Sequence, residues 1–313
     1  MRERICAVSV DLDGIECYYR IHGLEVPRFV RDPVACDALP RFRELFEGRR
    51  IPATFFVVGQ MAESEAGLAA LPALRAAGHE IANHSHTHPY DLFRQVPAAI
   101  AEEVGRAHKA ITVACGAAPR GFRAPGYGLS PALLDAVAAA GYSYDSSVLP
   151  SPPYVAAKAA IMAAMRLGGR RSRAAQTDPR LALAPRQPYR PDPSAPWRRG
   201  QSSLVELPIA VMPWLRVPVI GLPLTTAPGP VRRLLVASLC QEPVICLELH
   251  GLELCDGDGD GVAAEIRARQ PDLGVPLGHK RVALGRTLDE IAAAGYRFVT
   301  LLQLAQLAQR GEV

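Results

Sequence analysis

Three histidines fall within five residues in Asn83-His84-Ser85-His86-Thr87-His88, and the whole chain holds only eight. Imidazole is the commonest protein ligand for zinc-like metals, so a cluster this dense is a candidate metal site; the plain alternative is a polar loop. On an extended chain all three rings would share a face, whereas on a helical turn only His84 and His88 would. Pro89 disfavours the α region at His88, and the spacing leaves the ligand pair open. A second reactive group is Asp11-Leu12-Asp13-Gly14, two carboxylates one residue apart behind an apolar run, a pattern that also makes ordinary turns. Arg123, Asp145 and His250 each follow or end a further strand-like run. Carboxylate, imidazole and guanidinium delivered by several strand ends is how α/β barrels assemble active sites. Two histidines and one aspartate would make a three-ligand site with coordination positions left open, a catalytic rather than a structural arrangement.

The elements that must position these groups alternate. Ile5 to Val10 is a β-branched apolar run, and Ala53 to Gly59 is apolar throughout, as in strands buried on both faces. His79 to Asn83 delivers the histidines. Gly121 to Arg123, Tyr142 to Ser147, Leu204 to Pro208, Val244 to His250 and Tyr296 to Leu301 read as the later strands. Between them lie helical segments over residues 37–47, 63–77, 97–115, 130–140, 231–240 and 281–294, several stopped by glycine at Gly48, Gly78, Gly141 and Gly295. Ser130 is placed to cap its helix, with Pro131 suited to the first turn. Repeated β-then-α units predict a parallel sheet, and this many predict a closed or nearly closed barrel.

Length suits a single barrel domain spanning residues 1–313, since such barrels run from about 200 to 300 residues. The net charge of +4 is small and almost all basic residues are arginine, which does not suggest a nucleic-acid partner. Seven scattered cysteines without a C-x-x-C pair exclude a zinc knuckle and read as reduced thiols in a cytoplasmic protein. The N-terminus enters a strand at once, and no apolar run is long enough to span a bilayer. Asp256 to Gly261 looks like the start of a calcium loop, but the twelfth position is Arg267, so it is read as an acidic turn.

These residues together resemble the polysaccharide deacetylases, the NodB-homology group of carbohydrate esterases. Ala53 to Gly59 is similar to that family's second strand, Asn83 to His88 to its metal motif, Phe122 to Tyr127 to its third motif, Tyr142 to Ser147 to its fourth and Leu247 to His250 to its fifth. The resemblance implies a deformed (β/α) barrel of about seven parallel strands and a divalent metal, zinc in first place with cobalt, manganese or nickel as alternatives. It takes the first and last histidines, so that Asp13, His84 and His88 bind the metal. It makes Asp11 the general base, oriented and kept ionised by Arg123. His250 becomes the acid that protonates the leaving amine, supported by Asp145, and the backbone around Gly126 and Tyr127 holds the oxyanion. The substrate implied is an N-acetyl or N-formyl amino sugar or glycan.

Two departures stand out. Leu12 separates the aspartates of the first motif, as in the branch containing allantoinase-like peptidoglycan deacetylases and the lipid-linked formamido-arabinose deformylase. The fourth motif lacks a second Asp and a Trp. The resemblance to the deformylase branch, with the expected lack of an export signal and the basic insertion, implies a nucleotide- or polyprenyl-phosphate-linked substrate at the inner membrane, with an allantoinase-like cyclic amide hydrolase or a non-catalytic glycan- or lipid-binding barrel as rival readings. Residues 150–203 break the βα rhythm with nine arginines against Asp178 and Asp192. This stretch is either a solvated insertion or a basic lid that meets a lipid-phosphate carrier or an anionic membrane.

Overall fold

The computed structural model describes residues 3–28, 30–169 and 172–313. In chain order the elements are β1 (Ile5–Leu12), α1 (Ile15–Ile21), α2 (Leu39–Glu47), β2 (Ala53–Val57), α3 (Gly59–Ala62), α4 (Glu65–Ala76), β3 (Glu80–Asn83), α5 (Pro97–Cys115), β4 (Gly121–Phe122), α6 (Pro131–Ala139), β5 (Tyr144–Asp145), α7 (Pro152–Leu167), β6 (Pro191–Asp192), β7 (Ala195–Arg199), β8 (Val205–Glu206), α8 (Gly221–Thr226), α9 (Gly229–Leu239), β9 (Val244–His250), α10 (Ala264–Arg267), α11 (Leu277–Ala293), β10 (Arg297–Val299) and α12 (Leu301–Gln309).

Seven parallel strands run in the order β9-β1-β2-β3-β4-β5-β8 and curl into a deformed barrel, as expected. The short β10 pairs with the first half of β1, below β2. Beyond β8 the Ala210 N–H donates to Cys246 O at 2.9 Å, which brings the far edge onto β9. Every residue of β1 and β2 is buried. That is why those segments are mostly apolar, Ser9, Asp11 and Thr54 apart, rather than alternating: helices cover one face and the barrel interior fills the other. Phe56 is fully buried, with the Arg123 guanidinium 4.1 Å from its ring centre and the His84 ring centre 6.2 Å away. Truncating such a side chain costs about 3–5 kcal/mol, and here it would also loosen two site residues.

Strands β4, β5 and β8 are only two residues long, shorter than the apolar runs suggest, because the chain turns there to present side chains to the site. Asp11 lies inside β1 rather than past its end. The Asp256 turn is tied down by arginine, Arg41 meeting Asp260 at 2.5 and 2.7 Å and Arg267 pairing with Asp258.

Residues 150–203 are built into the fold. Leu181, Ala184 and Tyr189 join a buried cluster with Leu133 and Val137 of α6, and β6 and β7 form an antiparallel pair. Their arginines are partly spent: Arg180 pairs with Asp178, Arg186 with Glu242, and Arg190 donates to Ser202 O. Arg170 and Arg171 lie outside the described residues.

Candidate active site

The strand ends bring Asp13, His84 and His88 together, with candidate ligand atoms all within 4.8 Å of one another. Asp13 Oδ1 lies 3.1 Å from His84 Nε2 and 3.1 Å from His88 Nε2. The His84 Nδ1 meets the Arg123 carbonyl at 2.7 Å, which turns Nε2 inward, the outer bond that fixes a metal-binding imidazole. Among the described residues the buried His88 has no hydrogen-bond partner on either ring nitrogen, and Asp13 Oδ1 has none either. Buried polar atoms without partners are costly, and a divalent cation satisfies this set, so the donors fit a metal. His86 does not join them. Its Nε2 lies 3.9 Å from Glu63 Oε2, and its Nδ1 lies so close to Gly59 that a Cβ there would approach within 2.5 Å.

The loop holding the histidines is left-handed at Ser85 (φ 64°) and His88 (φ 55°). Non-glycine residues seldom adopt that region unless held there. Asn83 Oδ1 accepts from Ser85 N–H, and Glu103 of α5 accepts from the N–H groups of His86 and Thr87 and from Thr87 Oγ1. Glu103 sits on a distant helix, so nothing in the local spacing points to it. Glu103→Ala is expected to weaken zinc binding about 10–100-fold, the usual cost of losing a group that orients ligands, as read by competition with a chromogenic chelator.

Asp11 Oδ1 receives Arg123 Nη1 at 2.6 Å, and Arg123 is otherwise clamped by Ser9 Oγ, Ser146 O and Ser146 Oγ. Arg123 therefore orients Asp11. Its charge does not hold Asp11 down, however: burial outweighs it and raises the carboxyl above its ordinary value.

Asp145 is not the partner of His250, a correction to the expectation above. Its carboxylate accepts from Ser147 N–H and Oγ, and Ser147 Oγ in turn accepts from Ala124 N–H. Its neighbour is Glu206, whose carboxyl burial and the Asp145 charge push well up. Asp145 thus braces the turn that follows Arg123. The partner of His250 is Glu248, with Oε1 2.9 Å from Nδ1. The two are i and i+2 on β9 and share a face, a signal present in Leu247-Glu248-Leu249-His250. Glu253 also accepts the His250 N–H at 2.9 Å.

Burial alone would lower the His250 pKa, but the Glu248 charge and hydrogen bond outweigh it, with help from Asp13 and Asp11, and the ring stands well above its ordinary value. The protonated form therefore persists to higher pH. In Glu248→Gln the alkaline limb of the kcat profile is expected to move down by about 1–3 pH units, the range for losing an adjacent opposite charge. An unmoved limb would remove His250–Glu248 as the acid.

A pocket of ≈ 220 Å³ opens over this cluster, lined by Asp11, Asp13, His84 and His250, with Tyr90 and Tyr127 among its walls. Gly126 (φ 64°) and Tyr127 (φ 62°) are consecutive left-handed residues, and the Tyr127 hydroxyl is anchored on Glu248 at 3.1 Å. The Tyr127 N–H already closes the turn onto Ala124 O at 3.3 Å, which leaves Gly126 the freer of the two amides expected to face an oxyanion. From the 150–203 segment, Tyr154, Lys158 and Ala174 also reach the pocket.

Parts of the chain are similar in sequence, and the whole of it in fold, to known proteins. Residues 32–144 match the family model for polysaccharide deacetylase. The chitooligosaccharide deacetylase of Bradyrhizobium sp. (strain ANU 289) is 44% identical over 91 residues, 29% of this chain and 40% of that protein. That of Sinorhizobium fredii (strain NBRC 101917 / NGR234) is 36% identical over 136 residues, 41% of this chain and 61% of its own. The chain thus spans about half the length of these curated relatives. A Mycobacterium smegmatis structure provisionally described as a polysaccharide deacetylase superposes with a TM-score of 0.60 at 18% identity, covering 99% of this chain and 92% of that one. A carbohydrate esterase family 4 pseudoenzyme from Bacillus anthracis shares the fold with a TM-score of 0.51 at 12% identity, over 97% and 66% of the two chains. Residues 32–144, with the histidine motif, are thus similar to the polysaccharide deacetylase family, and the barrel around them has the fold of the Mycobacterium smegmatis structure.

Proposed function

We propose that this protein hydrolyses the amide of an N-acyl amino sugar, acetyl or formyl, with the help of a divalent metal. The carrying observation is a buried Asp13–His84–His88 cluster at the floor of a pocket flanked by the Asp11–Arg123 pair and by His250–Glu248. Two imidazoles and a carboxylate suit zinc, with cobalt, manganese and nickel as alternatives. A metal held there would polarise the acyl carbonyl and acidify water, whose pKa such ions lower from 15.7 to about 7.

The chain's own groups supply the proton transfers. Asp11, held by Arg123 through Oδ1, takes a proton from the attacking water as its oxygen bonds to the acyl carbon. His250, held through Nδ1 by Glu248, gives the proton on its other ring nitrogen to the amine as the C–N bond breaks. Gly126 N–H faces the developing oxyanion. Each proton-transfer group contributes typically about 10²–10⁴-fold.

Two neighbours in fold do not settle activity, since one of them is a pseudoenzyme and fold alone does not carry function. A non-catalytic glycan-binding barrel and an allantoinase-like cyclic amide hydrolase are therefore outcomes of the test. Zinc-loaded protein is incubated with N-acetyl and N-formyl amino sugars, chitooligosaccharides and cyclic amides, and amine release is measured. Turnover of N-acyl sugars supports the proposal. Turnover of cyclic amides alone, or metal-loaded protein inert on all of them, replaces it.

A lipid-phosphate-linked substrate is favoured by one surface feature. Helix α7 has no fully buried residue and exposes Ile161 and Leu167 (91% exposed), and Trp214 (89% exposed) and Leu215 are exposed on the loop between Val211 and Pro218. Residues 146–177 contain five basic and no acidic side chains. Among the described residues no helix is long and apolar enough to cross a membrane, so contact would be peripheral. Anionic vesicles should bind the protein and neutral ones should not, with attraction of about 1 kcal/mol per arginine near the surface. Salt and a Trp214→Ser/Leu215→Ser variant should each weaken it; equal, salt-independent sedimentation of both proteins would discard membrane contact.

A further inference from the structure

We propose that Glu206 is a positioning residue for the Asp11 base: it shares a proton with Asp145 and so fixes the 145–148 turn that grips Arg123. This rests on the amide-hydrolase reading above. Both carboxyls lie beyond the segment matched to the family model. They are Cα partners in the parallel pairing of β5 with β8, so their side chains share a face on strands about 4.8 Å apart. Each is fully buried. The backbone of Glu206 is also held from its other side, exchanging hydrogen bonds with Tyr189 at 2.8 and 3.1 Å.

Two adjacent buried carboxyls need a cation or a proton between them. Among the described residues no cation touches this pair, because Arg123 directs its hydrogen bonds to Ser9, Asp11 and Ser146. Tyr144 and Tyr189 lie close enough to feel its charge, but their hydroxyls donate to Glu80 and to Pro196 O. The nearby Cys246 thiol is pushed up to about 12 by burial and stays neutral. Asp145 has its donors in Ser147 N–H and Oγ. Glu206 Oε1 accepts from Val148 N–H at 2.9 Å, whereas its buried Oε2 meets no donor among the described residues. A proton on Glu206, given to Asp145 as a hydrogen bond, removes both the repulsion and the orphaned oxygen. Burial and then the Asp145 charge raise Glu206 well above its ordinary value. Burial raises Asp145 less, since the bonds it accepts from Glu206 and Ser147 oppose it.

The turn held in this way carries two serines. Ser146 accepts from Arg123 Nη2 through Oγ and from Nε through its carbonyl, and its hydroxyl donates to Leu207 O. Ser147 Oγ accepts from Ala124 N–H. Arg123 in turn donates to Asp11 at 2.6 Å. Without the shared proton Asp145 is an unpaired buried anion beside this turn, and slack there reaches Asp11 through the guanidinium.

The alternative is that Glu206 only fills space in the sheet. Two measurements on the zinc-loaded protein separate these. The first is infrared spectroscopy in neutral buffer, which needs no turnover. A carboxylic acid C=O band should be present in wild type and disappear in Glu206→Gln. Glu253 is also raised well up by burial, so the band is assigned by that loss. The second is turnover of N-acetylglucosamine. Glu206→Leu, similar in size and without a donor, should lower kcat about 10–100-fold with KM little changed, the scale expected when a reacting group shifts by about an ångström. Retained zinc shows that this variant folds. Glu206→Gln keeps both the donor and the acceptor and should rescue most of the lost kcat. No such band in wild type, or an equal fall in kcat in both variants, shows that a proton on Glu206 is not what positions the base, and overturns the proposal. Undiminished kcat in Glu206→Leu also overturns it and leaves Glu206 as packing. If zinc-loaded wild type turns over no N-acyl sugar, the amide-hydrolase reading fails and takes the positioning role with it, while the band still decides the shared proton.

Discussion

His84→Ala, His88→Ala and Asp13→Ala are each expected to lose bound zinc, with affinity falling on the order of 100-fold or more, beyond the 10–100-fold typical of orienting groups. His86→Ala should keep one equivalent per chain. Elemental analysis after dialysis against a weak chelator gives the stoichiometry. The expectation follows from direction: His84 and His88 aim Nε2 at the same Asp13 oxygen, each 3.1 Å away, whereas His86 faces Gly59 and Glu63. His86 is nonetheless buried, so its truncation should cost stability, of order 1–3 kcal/mol, visible as a lower Tm with metal retained. Loss of zinc in His86→Ala with retention in His88→Ala would overturn the ligand set.

The second large effect is on turnover. Asp11→Asn and His250→Ala should retain zinc yet lose about 10²–10⁴-fold in kcat, as for groups that move protons in the transition state. Asp11→Asn carries a second expectation. Arg123 is fully buried and depends on Asp11 for its nearest carboxylate. Removing one partner of a buried pair costs about 3–5 kcal/mol, so this variant should also melt earlier than wild type. His250 is the most exposed member of its pair, with its side chain 25% exposed, and its truncation should leave Tm much closer to wild type. A variant that loses zinc but regains full activity on reconstitution would exchange the roles of the two aspartates.

Much of this site is legible in the residues in order because its parts are local. Strands β1 and β9 are largely apolar runs, and each carries its reactive side chains at its C-terminal end within the same short peptide. The long helix α5 is marked at its start by Pro97 and at its end by Gly116, which takes up the left-handed C-cap at φ 67°. The 150–203 segment was the least legible part. Its arginines suggest a basic surface, but Asp178 and Glu242 absorb two of them, and among the described residues the basic side chain of this segment that reaches the pocket is Lys158.

What the sequence determines by itself is the set of βα units, the histidine loop and the chemical types at the strand ends, since period, turn residues and motif spacing are properties of neighbours along the chain. What only the tertiary structure decides is which strand ends stand side by side. The parallel register of β1 with β9 places Asp11 directly opposite His250. Strand β4 sends Arg123 back across the barrel to Asp11, and α5 lends Glu103 to the histidine loop. Asp145 and Glu248 are both carboxylates at strand ends, and nothing in their spacing from Arg123 tells which will meet His250. The choice falls to Glu248 because it shares a strand face with His250, while Asp145 accepts from the Ser147 N–H and hydroxyl. Charge pairing depends on distances of a few ångströms through space, and those distances exist only once the barrel has curled.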